Sequence, residues 1–319
     1  MISMKEMGFS RGVNLGGWMS QCDYSPERLE GFIREEDIAR IAGWGLDHVR
    51  LPVDYNVLEA EDGSAYLEEG FARIRRAQEW CEKYGLNLVI DLHKTAGFSF
   101  DDGEQETGFF SSEAYQERFC RLWEQIASRC GGSPEHIAFE LLNEVTDPAF
   151  MDTWNRVADA CVARIRKIAP NHLILIGGYH NNSAHAVPAL DPPADDRVIY
   201  NFHCYEPLRF THQGAYWVRE MDPAFRLSFD AAEIPEDYFD QLFAPALEAA
   251  RKNGTSLYCG EYGVIDRADP EDTVRWFRMI HDAFERHGIA RCVWSYREMD
   301  FGLTDPRLDG VRANLIRLL

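Results

Sequence analysis

The sequence of 319 residues predicts an α/β fold, a single-domain (β/α)8 TIM barrel that spans residues 1–319. Eight short apolar runs alternate with amphipathic stretches, which is the order of a parallel sheet with helices on its faces. The length fits one barrel, for which about 250 residues is typical and insertions are common. No strand is followed by G-x-G-x-x-G or G-x-x-x-x-G-K-[ST], so an open nucleotide-binding sheet lacks its usual signature.

The elements follow from hydrophobic patterning. The predicted strands are, in chain order, Gly12–Trp18, His48–Val53, Asn87–Leu92, His136–Asn143, Leu173–Gly178, Val198–Tyr205, Ser256–Glu261 and Arg291–Tyr296. Most lack clean alternation, as expected when both faces of a strand are covered. Helical spacing places one apolar face on the stretch after the fourth strand, made of Trp154, Val157, Ala158, Cys161, Val162 and Ile165. Long loops at Lys94–Ser112 and from Glu206 to about Ile234 are expected to form walls at the carboxyl ends of the strands.

Composition excludes several classes of partner. A formal net charge of −20 argues against nucleic acid, whose phosphates are bound by clustered Lys and Arg. The eight cysteines are spread singly with no CxxC, so we expect buried thiols rather than a metal site or disulfides, and no cofactor is expected. We find no apolar signal core and no run of about 20 apolar residues, so no membrane partner is expected. The protein is expected to be a monomer and cytoplasmic, or secreted if a signal peptide has been removed.

Two glutamates end two different predicted strands. Glu144 follows Asn143 at the end of the fourth, and Glu261 ends the seventh. The carboxyl ends of barrel strands form the face where barrel enzymes carry out chemistry. A retaining glycosidase needs two carboxyl groups about 5–5.5 Å apart, one as nucleophile and one as acid. Strict alternation would point Asn143 and Glu144 to opposite faces, so both reach one site only if the strand end is bulged or twisted.

Six strand-end motifs extend this pattern: HVRLP, IDLH, FELLNEV, NFHCY, LYCGEYG and VWSY. In this order, from Arg11 to about Asp305, the chain resembles glycoside hydrolase family 5, the cellulase-type retaining β-glycosidases. The resemblance implies that Glu144 is the acid/base and Glu261 the nucleophile. It also implies a set of substrate-binding residues, namely Arg50 and Tyr205 around the nucleophile, Asn143 at the sugar 2-hydroxyl, His93 and His203 along the subsite, and Trp294 as its stacking floor.

Several of these residues have a structural alternative. Arg50 can instead pair with a barrel carboxylate such as Glu140, since inward charges are seldom left unpaired. His93 and His203, taken singly, can be core histidines, and Trp294 can be plain core. Lys94 departs from the family, in which many members have a second histidine at this position. Weaker subsite candidates are Trp18, Tyr24, Phe98, Phe100, Tyr179 and Trp217.

The expected activity is a metal-independent retaining endo-β-glucanase that cleaves β-1,4 bonds in soluble or mixed-linkage β-glucans. The stretches RGVNLGGWMSQ and PLRFTHQGAYW are most similar to the compact bacterial endoglucanases of the family. A β-1,3-glucanase, including an exo-acting form, and a β-mannanase remain open. A metal-dependent amidohydrolase barrel would need clustered His and Asp ligands, and no H-x-H or H-x-x-x-H pair ends a strand. A non-catalytic sugar-binding barrel would be expected to lack one of the two glutamates.

Overall fold

Eight parallel strands close into a barrel in the computed structural model, which describes residues 2–101 and 106–319. They are β1 (Arg11–Asn14), β2 (His48–Asp54), β3 (Asn87–Lys94), β4 (Ile137–Glu140), β5 (Leu173–Ile176), β6 (Val198–Cys204), β7 (Leu257–Tyr262) and β8 (Ala290–Val293). Each strand pairs with the next, and β8 pairs with β1. The predicted barrel is confirmed, because an open sheet would leave these two strands unpaired.

Helices surround this barrel. They are α1 (Pro26–Gly31), α2 (Glu35–Gly43), α3 (Tyr55–Leu58), α4 (Glu68–Tyr84), α5 (Glu113–Cys130), α6 (Met151–Ile165), α7 (Tyr179–Asn182), α8 (Leu208–Thr211), α9 (Tyr238–Asn253), α10 (Pro270–His287) and α11 (Arg312–Leu318). Short 3-10 turns cover Phe109–Ser111, Pro148–Phe150, Ala184–Ala189, Asp230–Ala232 and Pro306–Leu308. Part of the predicted wall loop after β3, residues 102–105, lies outside the described residues. No helix among those described is long and apolar enough to span a membrane.

Local sequence explains where the longest helices begin and end. The Asp269 carboxylate accepts from the backbone N–H of Glu271 and of Asp272, and Pro270 occupies the first position of α10. The helix is capped after His287 by Gly288, whose φ of 65° is the left-handed conformation that glycine adopts at little cost. On α6, the six residues of the predicted apolar face are all buried.

Along the barrel axis, the inward-facing side chains change from apolar to polar. Residues two apart on a strand point to the same face. The residues that face the inside of the barrel are Val89, Asp91 and His93 on β3, and Ile199, Asn201 and His203 on β6. Val89 and Ile199 belong to an apolar cluster inside the barrel, which Met4 and Phe9 join. The polar half lies at the carboxyl ends of the strands and provides the floor of a site.

Candidate active site

A cleft of about 840 Å³ lies over the carboxyl ends of the strands. Side chains from the ends of five strands line it, namely His93, Glu144, His203, Glu261 and Trp294. The loops after the strands add Asn181, Tyr205 and Trp217. The structure therefore brings both predicted glutamates to one cleft.

The chain reaches Glu144 by leaving the β4 ladder early. The strand ends at Glu140, three residues before its predicted end, and the Asn143 N–H donates to the Leu92 carbonyl at 3.1 Å. Glu144 then has a φ of 45°, a left-handed conformation that is uncommon for a residue with a long side chain. This turn breaks the alternation, so Asn143 and Glu144 both contribute to the same site.

Glu261 reaches the cleft through a bulge. The β6–β7 register pairs Phe202 with Cys259 but His203 with Glu261, so Gly260 is skipped. An extra residue reverses which side chains point inward beyond it, which turns Glu261 toward the cleft. A Cβ on residue 260 would lie 2.7 Å from Asn201 Oδ1, so only glycine fits there without displacing the Asn201 side chain.

Glu144 lies in a largely dry environment. Its side chain is 10% exposed, and burial raises the pKa of its carboxyl group above the ordinary value. Asn181 Nδ2 donates to Oε2 at 2.9 Å, and His203 Nδ1 lies 2.8 Å from Oε1. Burial lowers the pKa of His203 to about 4, so the ring is neutral at neutral pH. Glu144 therefore has neutral hydrogen-bonding partners and retains its proton to higher pH than an exposed glutamate.

Glu261 has a different environment from Glu144. Arg50 Nη1 donates to its Oε1 at 2.7 Å, and the Tyr205 hydroxyl donates to its Oε2 at 2.8 Å. Two donors, one of them cationic, hold the carboxylate in one orientation. The ligand atoms of Glu144, His203 and Glu261 all lie within 4.8 Å of one another.

Arg50 connects the site to the barrel core. Its Nε and Nη2 donate to the two carboxylate oxygens of Glu140 at 2.7 Å each, and Nη2 also donates to Asn143 Oδ1 at 2.9 Å. Burial lowers the pKa of Arg50, but the carboxylates of Asp91, Glu140 and Glu261 outweigh it and raise the pKa above its usual value. Both sequence-based interpretations of Arg50 thus hold, since it pairs with Glu140 and also contacts Glu261.

His93 and Trp294 form one wall of the cleft. Their rings are parallel within 1°, with centroids 5.8 Å apart. His93 Nδ1 lies 2.6 Å from Asp91 Oδ2, which fixes the ring against β3. Trp294 packs in a small cluster with Phe301 and Ala215, and it is also among the residues that line the cleft.

The weaker candidates divide between cleft and core. Phe100 and Trp217 line the cleft. Phe98, another of these candidates, belongs to the core, because the loop folds its apolar side chain inward against Phe110, with ring centroids 5.2 Å apart. Lys94 ends β3, and its Nζ lies 5.9 Å from the centre of the Tyr24 ring.

Sequence reasoning did not single out several residues of the cleft, among them Asn181, His212 and Phe301. The consecutive asparagines at 181 and 182 could have signalled a left-handed turn, because Asn is enriched in that conformation. His212 packs edge-on against the Tyr205 ring, and Phe301 packs against both rings. The sequence contained no local signal for these tertiary contacts.

Two carboxylates and a histidine that lie close together can also bind a metal ion. Glu144, His203 and Glu261 each offer one ligand atom. Arg50 places a permanent positive charge 2.7 Å from Glu261, which opposes a second cation at the same carboxylate. His203 Nδ1 is also engaged by Glu144. The cluster is therefore suited to proton transfer and nucleophilic chemistry.

Comparison with known proteins places this geometry in context. A family model described as cellulase (glycosyl hydrolase family 5) matches residues 7–300. Cellodextrinase A of Ruminococcus flavefaciens is 58% identical over 288 residues, which cover 90% of this chain and 85% of that protein. Endoglucanase C of Acetivibrio thermocellus is 37% identical over 339 aligned positions, which cover 98% of each. The structure of Thermotoga maritima Cel5A with mannotriose has a TM-score of 0.82 and 26% identity, with 98% of each chain covered.

Proposed function

Because the chain belongs to glycosyl hydrolase family 5, the cellulase family, we propose that it is a retaining endo-β-1,4-glucanase acting on soluble or mixed-linkage β-glucans. The observation that carries this proposal is the pair of glutamates in contrasting environments across one cleft. Glu144 has neutral partners in a dry environment, and Glu261 is bound by a cation and a phenol. Acid and nucleophile need such opposite environments.

Each step of a double displacement has a group to perform it. In the first step, a Glu261 oxygen forms a bond to the anomeric carbon while the glycosidic bond breaks, and the Glu144 proton moves to the leaving oxygen. In the second step, the Glu144 carboxylate takes a proton from water, whose oxygen bonds to the anomeric carbon as the ester bond to Glu261 breaks. A carboxylate oxygen of Glu144 lies within 4.8 Å of a carboxylate oxygen of Glu261. This short separation supports the retaining route, because inversion requires carboxyl groups about 6.5–9.5 Å apart.

The surrounding residues have supporting roles in this proposal. Asn143, which Arg50 holds through its amide oxygen, keeps its Nδ2 available as a donor to the sugar 2-hydroxyl. Such a bond can strengthen as the oxocarbenium-like transition state forms. The Trp294 indole offers a flat apolar surface for a sugar ring, and His93 and His203 line the same cleft. A monomer is sufficient for this chemistry, since one chain supplies all of these groups.

We expect hydrolysis of barley mixed-linkage glucan and carboxymethyl cellulose to exceed that of laminarin, mannan and crystalline cellulose. Two curated relatives are named cellodextrinase and endoglucanase, and a cleft with exposed aromatic walls admits an internal chain segment. The measurement is initial rate on each polysaccharide, together with the viscosity of the mixed-linkage glucan. Viscosity should fall well before much reducing sugar appears.

Two results would replace this substrate assignment. The first is a fall in viscosity that keeps pace with the release of reducing sugar, or glucose as the sole early product from laminarin. Either observation would indicate an exo-acting β-1,3-glucanase. Faster hydrolysis of mannan than of glucan would indicate a β-mannanase, an alternative favoured by the mannotriose bound to the Thermotoga maritima enzyme.

Chelation of divalent cations is expected to leave the rate on mixed-linkage glucan unchanged. Arg50 already supplies the positive charge beside Glu261, so no metal ion is needed there. The rate is measured before and after dialysis against EDTA, with a dialysis against buffer as the control. Loss of activity that added Mg²⁺, Ca²⁺ or Zn²⁺ restores would reject the metal-free mechanism.

A further inference from the structure

The short element α7 (Tyr179–Asn182) after β5 is a left-handed turn rather than a regular α-helix, and it is docked onto the segment that carries Glu144. His180, Asn181 and Asn182 have φ values of 47°, 56° and 55°, so three consecutive residues are left-handed. The His180 N–H donates to the Thr146 carbonyl at 3.3 Å, and the Asn181 N–H donates to the Val145 carbonyl at 3.0 Å. The two segments are therefore joined by the backbone immediately beyond Glu144.

This docking aims the side chain of Asn181 at the acid/base. Its Nδ2 lies 2.9 Å from Glu144 Oε2, while His203 engages the other oxygen of the same carboxylate. An amide has no charge to gain or lose, so it is the same donor at every pH. A donor to a carboxylate favours the ionised form.

We propose that Asn181 is a positioning residue for the hydrolytic reaction, which fixes the orientation of the Glu144 carboxyl group through the hydrogen bond from Nδ2 to Oε2. The inference rests on the proposed role of Glu144 as acid/base. The turn after β5 lies outside the strand-end motifs, and the inference gives it a role in catalysis.

The electrostatic balance at Glu144 shows why a neutral donor matters. Burial raises the pKa of Glu144, and the hydrogen bond from Asn181 is the largest effect that lowers it. A weaker lowering comes from His93 and Arg50. The titratable or charged groups that face Glu144 from the neighbouring strands are Arg50, Asp91, His93, His203, Tyr205 and Glu261. Without the amide, burial is opposed less, and the carboxyl group holds its proton to higher pH.

The left-handed backbone determines which variants test this role. Alanine at residue 181 would strain the turn, whereas glycine adopts a positive φ freely and aspartate tolerates it. Asn181→Gly removes the donor and keeps the backbone, and Asn181→Asp replaces the donor with an acceptor of the same shape. Glu233→Gly is the matched control, because Glu233 has a φ of 48°, is exposed and lies outside the cleft.

The experiment measures kcat/KM on mixed-linkage glucan as a function of pH for these variants. Activity needs protonated Glu144 and is lost as pH rises through its pKa. In the pH profile of kcat/KM, Asn181→Gly should shift the alkaline limb to higher pH by about one unit. It should also lower the maximum value of kcat/KM about tenfold. Asn181→Asp should move the limb further, and Glu233→Gly should not move it. Thermal unfolding of each variant checks that it is folded.

A second substrate separates positioning from general damage. Cleavage of 2,4-dinitrophenyl β-cellobioside needs no proton for its leaving group, so kcat/KM on it should change less than about twofold in Asn181→Gly. An equal loss on both substrates, or a limb that stays in place or moves downward, would overturn the inference. Glu144→Gln is run alongside. Full activity of that variant on glucan would instead reject the role of Glu144, whereas its inactivity with an unmoved Asn181→Gly limb would reject only the role of Asn181.

Discussion

Glu261→Ala is expected to abolish turnover of every β-glucan and aryl glycoside, with a loss on the order of 10⁶-fold in kcat, as found when an enzyme loses its nucleophile. The reason is that, among the described residues, Glu261 is the carboxylate that Arg50 and Tyr205 hold together in the cleft. Added azide can take its place and attack the anomeric carbon directly. The expected product is then a glycosyl azide of inverted configuration, identified by NMR.

Glu144→Ala is the complementary variant. It should still form the glycosyl-enzyme from substrates with good leaving groups, since these need no proton, and lose about 10²–10⁴-fold on glucan. Azide should speed the second step and give a product of retained configuration. If Glu261→Ala gave the retained azide and Glu144→Ala did not, the two roles would be exchanged.

Arg50→Met is expected to lower the free energy of unfolding by about 3–5 kcal/mol and to abolish activity. The substitution leaves Glu140 and Asp91 buried without their cation, and it frees Glu261 from its charged donor. Urea unfolding measures the first effect and the rate on mixed-linkage glucan the second. Arg50→Lys should retain little of the wild-type stability or activity, because an ammonium group cannot bind Glu140 through two parallel hydrogen bonds.

A second buried arginine offers the matched control. Arg291 is 1% exposed and bonds to Glu285 and to the Leu319 carbonyl, away from the cleft. Arg291→Met should also destabilise the protein, while the folded fraction keeps its kcat/KM. Wild-type stability in Arg50→Met would mean that the carboxylates do not depend on this cation.

The stability deficit of Arg50→Met, meaning its loss of unfolding free energy relative to the wild type, should depend on pH. Burial already raises the pKa of Asp91 to about 7, and loss of the cation removes an influence that lowers the pKa of both Asp91 and Glu140. A carboxyl group with a raised folded pKa contributes stability that is fully present below its unfolded pKa of about 4 and is lost as pH rises through the folded pKa. The deficit should therefore be small near pH 4 and grow toward neutrality.

Most of the fold could be predicted from the sequence, because strands buried on both faces are continuous apolar runs. Every predicted strand overlaps an observed one, yet several ends differ. The first strand ends at Asn14 rather than Trp18, and the fourth at Glu140 rather than Asn143. Beyond these points the chain remains apolar but curves out of the ladder, and hydrophobicity alone cannot distinguish the two cases.

The candidate site was predictable at the level of motifs but not of geometry. The motifs identify Glu144 and Glu261, and the alternation argument requires some backbone irregularity beside Asn143. That this irregularity is a left-handed residue at 144, and a bulge at Gly260 on the other strand, depends on how neighbouring strands pair. Asn181 shows the same limit, since its turn is suggested by residue type while its contact with Glu144 is tertiary.

The pairing of β1 with β8 makes assembly of the site a late event in biosynthesis. Asn14 on β1 donates to the carbonyls of Gly260, Cys292 and Val293, and Cys292 lies 278 positions further along the chain. Such distant contacts form slowly, and a ribosome adds only about 5–20 residues per second. Until β8 emerges, β1 and β7 are open edges that can pair with other chains. A nascent chain therefore passes through an inactive, aggregation-prone interval, and it gains its active site only when the final strand closes the ring.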